Sequence, residues 1–438
     1  MHLNGDCVNC ARLYLPNHLF MKKVLTFLAL SFCISGLFAQ TDTVSHIIAG
    51  RSNTEEQQKK PYVILISADG FRYDYAKKYH AGHLLELSSN GVQAKAMIPS
   101  FPSVTFPNHY TLVTGMYPSH HGLVNNSFYN SEKNDQYNMS NKLKVTDAKW
   151  YGGTPLWVLA EQQHMLAASL FWVGSEAAIR GVRPTYYYNY TEKISMPERI
   201  EIVLNWLKLP AEKRPHLITF YLSEPDHSAH HFGPETPEAE AAVQRVDSVV
   251  YQLTQAVKAT GLPVNFVFVS DHGMTQVDTA NPIPAPKVID AAKFKIIYSS
   301  TTLSLYAKDK ADIKPMYQAL RKSAKDYKVY LKTEVPARLH YGAEDDRMNR
   351  IGDILLIPDW PRVFSEKTPG MGHHGFDPRK VKDMQATFFA WGPGFKEHLK
   401  IPAFENVNVY PLIINILGLS YTEQIDGKME VLRKVLKK

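Results

Sequence analysis

Tyr62-Val63-Ile64-Leu65-Ile66-Ser67-Ala68-Asp69 is an apolar run that ends in a carboxylate, and the chain repeats this pattern twice more. Leu217-Ile218-Thr219-Phe220-Tyr221-Leu222 leads into Asp226, and Phe266-Val267-Phe268-Val269 leads into Asp271-His272. Each run is short and rich in β-branched or aromatic residues, which predicts a buried strand rather than a helix. In an open parallel sheet the carboxyl ends of the strands share one edge, and ligands bind in the crevice there. Three carboxylates distant in the chain would then meet in one crevice, with His230, His272 and His374 beside them. Carboxylates brought that close repel unless a cation sits among them. Asp and His together suit Zn²⁺ or a similar divalent metal.

Working outward, strands alternate with helical patterning. Helices are expected over 74–90, from about 105, over 195–208, over 235–260 and over 410–417. Further strands are expected at 167–173 and 386–390. This alternation predicts an α/β fold with a mostly parallel sheet sandwiched by helices. The stretch 118–153 reads as loop, being rich in Asn, Ser, Tyr and Gly. Residues 276–360 read differently, with short strands at 301–306, 328–332 and 353–357 around a helix at 311–326. They are expected to form an inserted α+β subdomain or lid, leaving 61–275 and 361–425 as the core.

The chain has 438 residues, 45% hydrophobic and 21% charged, which is an ordinary globular composition. Its net charge of +7 comes from no Lys/Arg block, so the composition argues against an arm for nucleic acid. Met21-Lys22-Lys23 precedes an apolar run that closes on Ala39, the pattern of a secretory signal over 21–39. An uncleaved anchor is the alternative. Residues 1–20 read as an over-extended start, and 40–60 as a polar linker. Cys7, Cys10 and Cys33 all precede the expected cut, so the processed protein would hold together without disulfides. The expected location is periplasmic or secreted, with no membrane span after cleavage.

Asp226 and His230 stand at i and i+4, one face of a helical turn, so both can reach one metal. His227 and His231 point elsewhere on such a turn. Asp271 and His272 are adjacent, and both can reach a metal if the backbone bends at Gly273. In Gly372-His373-His374-Gly375-Phe376 the glycines allow close approach to a crowded site, and either His could be the ligand. A hydrolytic metal site also needs a nucleophile. Thr105 is a candidate in Ser100-Phe101-Pro102-Ser103-Val104-Thr105-Phe106-Pro107-Asn108-His109, as a helix N-cap with Pro in the first turn. Ser103 is an equal candidate on sequence alone.

Five ordered segments resemble the nucleotide pyrophosphatase/phosphodiesterase family of the alkaline phosphatase superfamily. They are Asp69-Gly70-Phe71-Arg72-Tyr73-Asp74, the stretch from Thr105 to Gly115, Glu224-Pro225-Asp226 with His230 and Gly233-Pro234, Asp271-His272-Gly273-Met274, and Gly372 with His374-Gly375-Phe376. The resemblance implies an alkaline-phosphatase-like core and two Zn²⁺ per chain. One would be held by Asp226, His230 and His374, the other by Asp69, Asp271 and His272, with Thr105 coordinated as the nucleophile. It further implies that Asn126 donates to a phosphoryl oxygen, with Asn125 as the neighbouring alternative. Phe106 and one ring of Tyr186-Tyr187-Tyr188, for which spacing favours Tyr187, would sandwich a nucleobase. The implied partners are nucleotides and nucleotide diesters, with no obligate nucleic-acid or protein partner.

Within the superfamily the rivals are a phosphomonoesterase and a choline phosphodiesterase. The first needs an added cation at the phosphate, for which Arg72 is the nearest residue in sequence to a ligand. A sulfatase lacks its C/S-x-P-x-R setting here. A metal-binding module without catalysis would have lost Thr105 or a ligand, and neither is missing.

Overall fold

The architecture comes from a computed structural model that describes residues 43–437. The expected signal at 21–39, the stretch 1–20 and the three cysteines lie outside the described residues. Nine strands form the main sheet, in the order His46–Ile47, Tyr186–Tyr188, Ala167–Leu170, Leu217–Leu222, Tyr62–Ala68, Val264–Val269, Phe388–Trp391, Val92–Ala94, Leu399–Ile401. The five from Tyr186–Tyr188 to Val264–Val269 pair in parallel. Phe388–Trp391 runs antiparallel to both its neighbours, and His46–Ile47 is an antiparallel edge.

Alternation along Tyr62–Ala68 explains why both faces are covered. Val63 and Leu65 enter one core with helices Thr105–Thr114, Leu156–Gln162 and Val409–Leu417. Tyr62, Ile64 and Ile66 enter the other with helices Gly82–Ser89, Met196–Leu207 and Pro237–Lys258. A strand buried on both sides reads as a continuous apolar run, as this one does. Register then sets the site. Ala68 pairs with Leu222 and Ser67 with Val269, so the three acid-bearing strands end level on one edge.

Several boundaries differ from the sequence expectation. Residues 44–60 are docked rather than forming a linker. His46–Ile47 extends the sheet, and buried Asn53 donates through Nδ2 to the carbonyls of Ala211 and Arg214. The expected helix over 74–90 is two helices, Tyr75–Lys78 and Gly82–Ser89, with His80 between them at a left-handed φ of 50°. The stretch 118–153 contains a hairpin, Ser127–Asn130 with Asp135–Asn138, that turns through Asn134 at φ 46°. At the other end the core runs past 425, because Leu432 and Val435 are buried in it.

The second sheet is antiparallel and four-stranded, in the order Phe294–Tyr298, Leu303–Ala307, Ile354–Pro358, Tyr327–Leu331. Helix Ile313–Ser323 packs on it through Met316, Tyr317 and Leu320. Its first strand, Phe294–Tyr298, was not expected from the sequence; it follows a turn in which Asp290 Oδ1 accepts the Ala292 amide. Among the described residues no helix is long and apolar enough to cross a membrane.

Candidate active site

The sheet edge gathers two clusters of metal-ligating side chains. Asp69 follows its strand directly, and Asp271 and His272 follow Val264–Val269 at the bend before Gly273. Their ligand atoms lie within 4.8 Å of one another. His272 Nε2 is 2.9 Å from Asp271 Oδ2 and 3.5 Å from Asp69 Oδ1. The second cluster is Asp226, His230 and His374. Helix Asp226–Phe232 carries the first two at i and i+4, with His230 Nε2 3.4 Å from Asp226 Oδ1. His374 Nε2 lies 3.0 Å from His230 Nε2 and 3.6 Å from Asp226 Oδ1.

His374 arrives on the loop after 370, and that loop needs its glycines. A Cβ on Gly372 would sit 2.3 Å from the Ala229 carbonyl, and one on Gly375, at φ 110°, would sit 2.0 Å from Thr301 Oγ1. Of the two candidates, His374 points into the cluster. His373 instead bonds through Nδ1 to Ser300 Oγ, 3.1 Å away. His227 and His231 are exposed and belong to neither cluster.

The donor atoms are arranged as a divalent cation would require. Asp69 Oδ1, Asp226 Oδ1 and Asp271 Oδ2 are buried carboxylate oxygens without a hydrogen-bond donor. Buried polar atoms are ordinarily satisfied, so three bare acceptors on one edge point to a cation-binding role. Their partner oxygens are held in place: Tyr221 OH donates to Asp69 Oδ2 at 2.7 Å, and the Gly70 amide to Asp271 Oδ1 at 3.2 Å. Each histidine is oriented in the same way. Nδ1 of His230, His272 and His374 faces the carbonyl of Gly372, Gly273 and Ser103, at 2.8, 2.9 and 3.0 Å respectively. With Nδ1 donating there, Nε2 keeps its lone pair for a metal. The donor set therefore fits two divalent ions.

Electrostatics agree. Burial first, then the charges of Asp271 and Asp226, push the Asp69 carboxyl well above the usual range. Burial opposes the charge of Asp271 too, yet His272 and His109 beside it hold its carboxyl well below that range. Burial, with His272 and His230 nearby, pushes the His374 imidazole down. His109 was not singled out from sequence. It is fully buried, with Nδ1 3.0 Å from the Thr105 carbonyl and 3.3 Å from Asp271 Oδ2.

Thr105 stands at this edge with Oγ1 3.3 Å from His272 Nε2. It is the first residue of helix Thr105–Thr114, and Val104 occupies the N-cap in an extended conformation. The Thr105 hydroxyl is thus not spent on capping, contrary to the cap expected from sequence. Ser103, the other candidate, is buried and donates to the Phe376 carbonyl at 2.7 Å. Asn126 meets the same helix end, where its Oδ1 accepts the Phe106 amide at 2.9 Å. Asn125 is turned away toward Thr302.

A cavity of about 450 Å³ opens over Thr105, Asp69 and Asp226, within the size range of small-molecule sites. Phe106 forms one wall, and Phe171, Val173, Tyr190 and Tyr221 contribute others. Tyr187 does not line it, which corrects the sequence expectation. Its ring stacks on His46 at 4.7 Å between centroids, because the edge strand His46–Ile47 pairs at that position. From this stretch of chain it is Tyr190 that lines the cavity, beyond the end of the strand, its amide held by Glu176 Oε1 at 2.7 Å. Arg72 is also accounted for. It is buried and ion-paired to Asp74 at 2.6 Å, Glu235 at 2.9 Å and Asp383 at 3.7 Å, and it does not line the cavity.

Comparisons with known proteins show the family and the fold. The model of the type I phosphodiesterase / nucleotide pyrophosphatase family matches residues 63–377. Human ectonucleotide pyrophosphatase/phosphodiesterase family member 1 is 36% identical over 378 residues, covering 82% of this chain and 40% of that protein. The venom phosphodiesterase of Naja atra is 34% identical over 373 residues, covering 82% of this chain and 44% of that one. The chain thus spans less than half the length of the curated relatives it matches. Among solved structures, human ectonucleotide pyrophosphatase/phosphodiesterase 5 superimposes with a TM-score of 0.80 at 28% identity, covering 86% of this chain and 100% of that one. An inactive murine form of that protein in complex with AMP gives the same score and identity.

Proposed function

The chain belongs to the type I phosphodiesterase / nucleotide pyrophosphatase family, and on that premise we propose that it hydrolyses phosphodiester and pyrophosphate bonds of nucleotides, releasing nucleoside monophosphates. The observation that carries this reading is Thr105 Oγ1, uncommitted to capping and 3.3 Å from His272 Nε2, at the floor of a cavity with aromatic walls. Two divalent cations, zinc by the chemistry of the donor set, would be held by Asp226, His230 and His374 and by Asp69, Asp271 and His272; when bound they supply the positive charge that activates an attacking oxygen and stabilises a leaving one.

The chain's own groups account for the rest. Thr105 Oγ1 gives up its proton and attacks phosphorus, forming an Oγ–P bond as the bond to the leaving oxygen breaks and that oxygen takes up a proton. Its place in the first turn of a ten-residue helix favours negative charge there. Asn126 is fixed by the Phe106 amide at its Oδ1, so its Nδ2 is the end offered to a phosphoryl oxygen. Phe106 and Tyr190 hold the nucleobase between them. In the second half, water forms a bond to phosphorus and the Oγ–P bond breaks, freeing Thr105 and the nucleoside monophosphate.

Arg72, the cation suggested for a phosphomonoesterase, is engaged by three carboxylates and does not line the cavity, where Lys142 is the basic residue. Hydrolysis of a nitrophenyl nucleoside diester, a nitrophenyl monoester and a nitrophenyl choline phosphate, with and without chelator, tests the assignment. The nucleoside diester is expected to turn over fastest, to stop with chelator and to recover with zinc. Equal or faster turnover of either other substrate would contradict it.

A further inference from the structure

We propose that Thr302, in the second sheet, is a positioning residue for Asn126. The inference rests on the role of Asn126 proposed above. Thr302 ends the four-residue turn between strands Phe294–Tyr298 and Leu303–Ala307. Its Oγ1 accepts a hydrogen bond from Asn125 Nδ2 at 2.9 Å, and both side chains are buried. Asn125 Oδ1 in turn accepts the Asn126 amide at 2.8 Å, and Asn126 Oδ1 accepts the Phe106 amide at 2.9 Å. Three consecutive bonds therefore run from the second sheet to the residue beside the nucleophile. A loop amide that must meet developing charge gains from such fixing, since a misplacement of about 1 Å can cost on the order of 100-fold in rate.

The surroundings show why the brace comes from this turn. Loop 122–126 is also held through its backbone: Tyr341 OH donates to the Val124 carbonyl at 2.8 Å, Arg350 Nη1 to the Gly122 carbonyl at 2.8 Å, and the Met139 amide to the Asn126 carbonyl at 2.9 Å. Those bonds fix the backbone but do not touch the side-chain amides of Asn125 and Asn126. The Thr302 bond reaches the Asn125 side chain, whose Oδ1 holds the Asn126 amide. The same turn reaches the other side of the crevice, through Ser300 Oγ to His373 and the close approach of Thr301 Oγ1 to Gly375. It thereby spans the distance between the loop of Asn126 and the loop of His374.

The test uses the full chain and a nitrophenyl nucleoside diester. Thr302→Val keeps nearly the same shape and removes the hydroxyl. It is expected to lower kcat about 10-fold at unchanged KM, with the melting temperature within a few degrees of wild type. Thr302→Ser restores the acceptor and should recover kcat. Asn126→Ala should lose roughly 100-fold in kcat, and adding Thr302→Val to it should lose nothing more, as expected of two groups acting through one contact. If Thr302→Val does not fold, Asn125→Ala breaks the same chain and should show the same dependence on Asn126. Losses that multiply in the double variant would overturn the proposal. So would wild-type kcat in Thr302→Val beside an impaired Asn126→Ala, which leaves the reading of Asn126 intact. Wild-type kcat in Asn126→Ala would overturn both.

Discussion

The two ligand clusters hold the same chemistry in opposite settings. Asp69, Asp271 and His272 have side-chain exposures of 3%, 0% and 0%, whereas Asp226, His230 and His374 have 17%, 37% and 8%. The first set sits at the ends of two central strands, paired in parallel over six residues. The second comes from one short helix and a glycine loop more than 140 residues away in the chain. A buried set on adjacent strands is rigid, and its desolvated charges are strong. A half-open set beside the cavity lets water and a departing group come and go. The buried cluster suits the nucleophile and the open one suits exchange.

Removing one ligand from each cluster probes that difference with the largest expected effect. Asp271→Asn should bring metal content from two ions per chain to one. It should also lower kcat on the order of 1000-fold, with no recovery in excess zinc, because a metal's charge supplies several kcal/mol. His230→Ala should bind its second ion weakly and regain part of its activity as zinc is raised. Metal analysis with zinc titration checks both, and equal recovery in the two variants would erase the distinction. A smaller effect separates the tyrosine at the cavity from the one at the sheet edge. Tyr190→Ala should raise KM about 10-fold, from the 1–3 kcal/mol of a lost base stack, with kcat little changed. Tyr187→Ala should leave KM as it was, and steady-state kinetics on the nucleoside diester decide between them.

The same comparison shows what could be read from the sequence. All three carboxylates announced themselves as the residues at or just beyond apolar strands, and the i, i+4 spacing of Asp226 and His230 required only a turn of helix. His374 needed the family resemblance, because Gly372-His373-His374-Gly375 offers two equal histidines until Ser300 is seen to engage one of them. Tyr187 failed for a physical reason. Within a strand, rings alternate between faces and are spent on packing, here against His46. Tyr190 lies beyond the carboxyl end of that strand, the position that marked Asp69, so the rule used for the acids would have found it. The bond from Asn125 to Thr302 joins residues 177 apart and carries no local signal. The hairpin at 127–138 was obscured by its polar composition, and it is held instead by the buried rings of Phe128 and Tyr137.

In the proposed mechanism Thr105 attacks phosphorus before water does. Hydrolysis of a nucleoside diester made chiral at phosphorus with sulfur, in isotopically labelled water, reads this directly from the configuration of the product. Two in-line displacements, the first by Thr105 and the second by water, predict net retention. Net inversion would mean that water attacks in a single step, and would contradict the account.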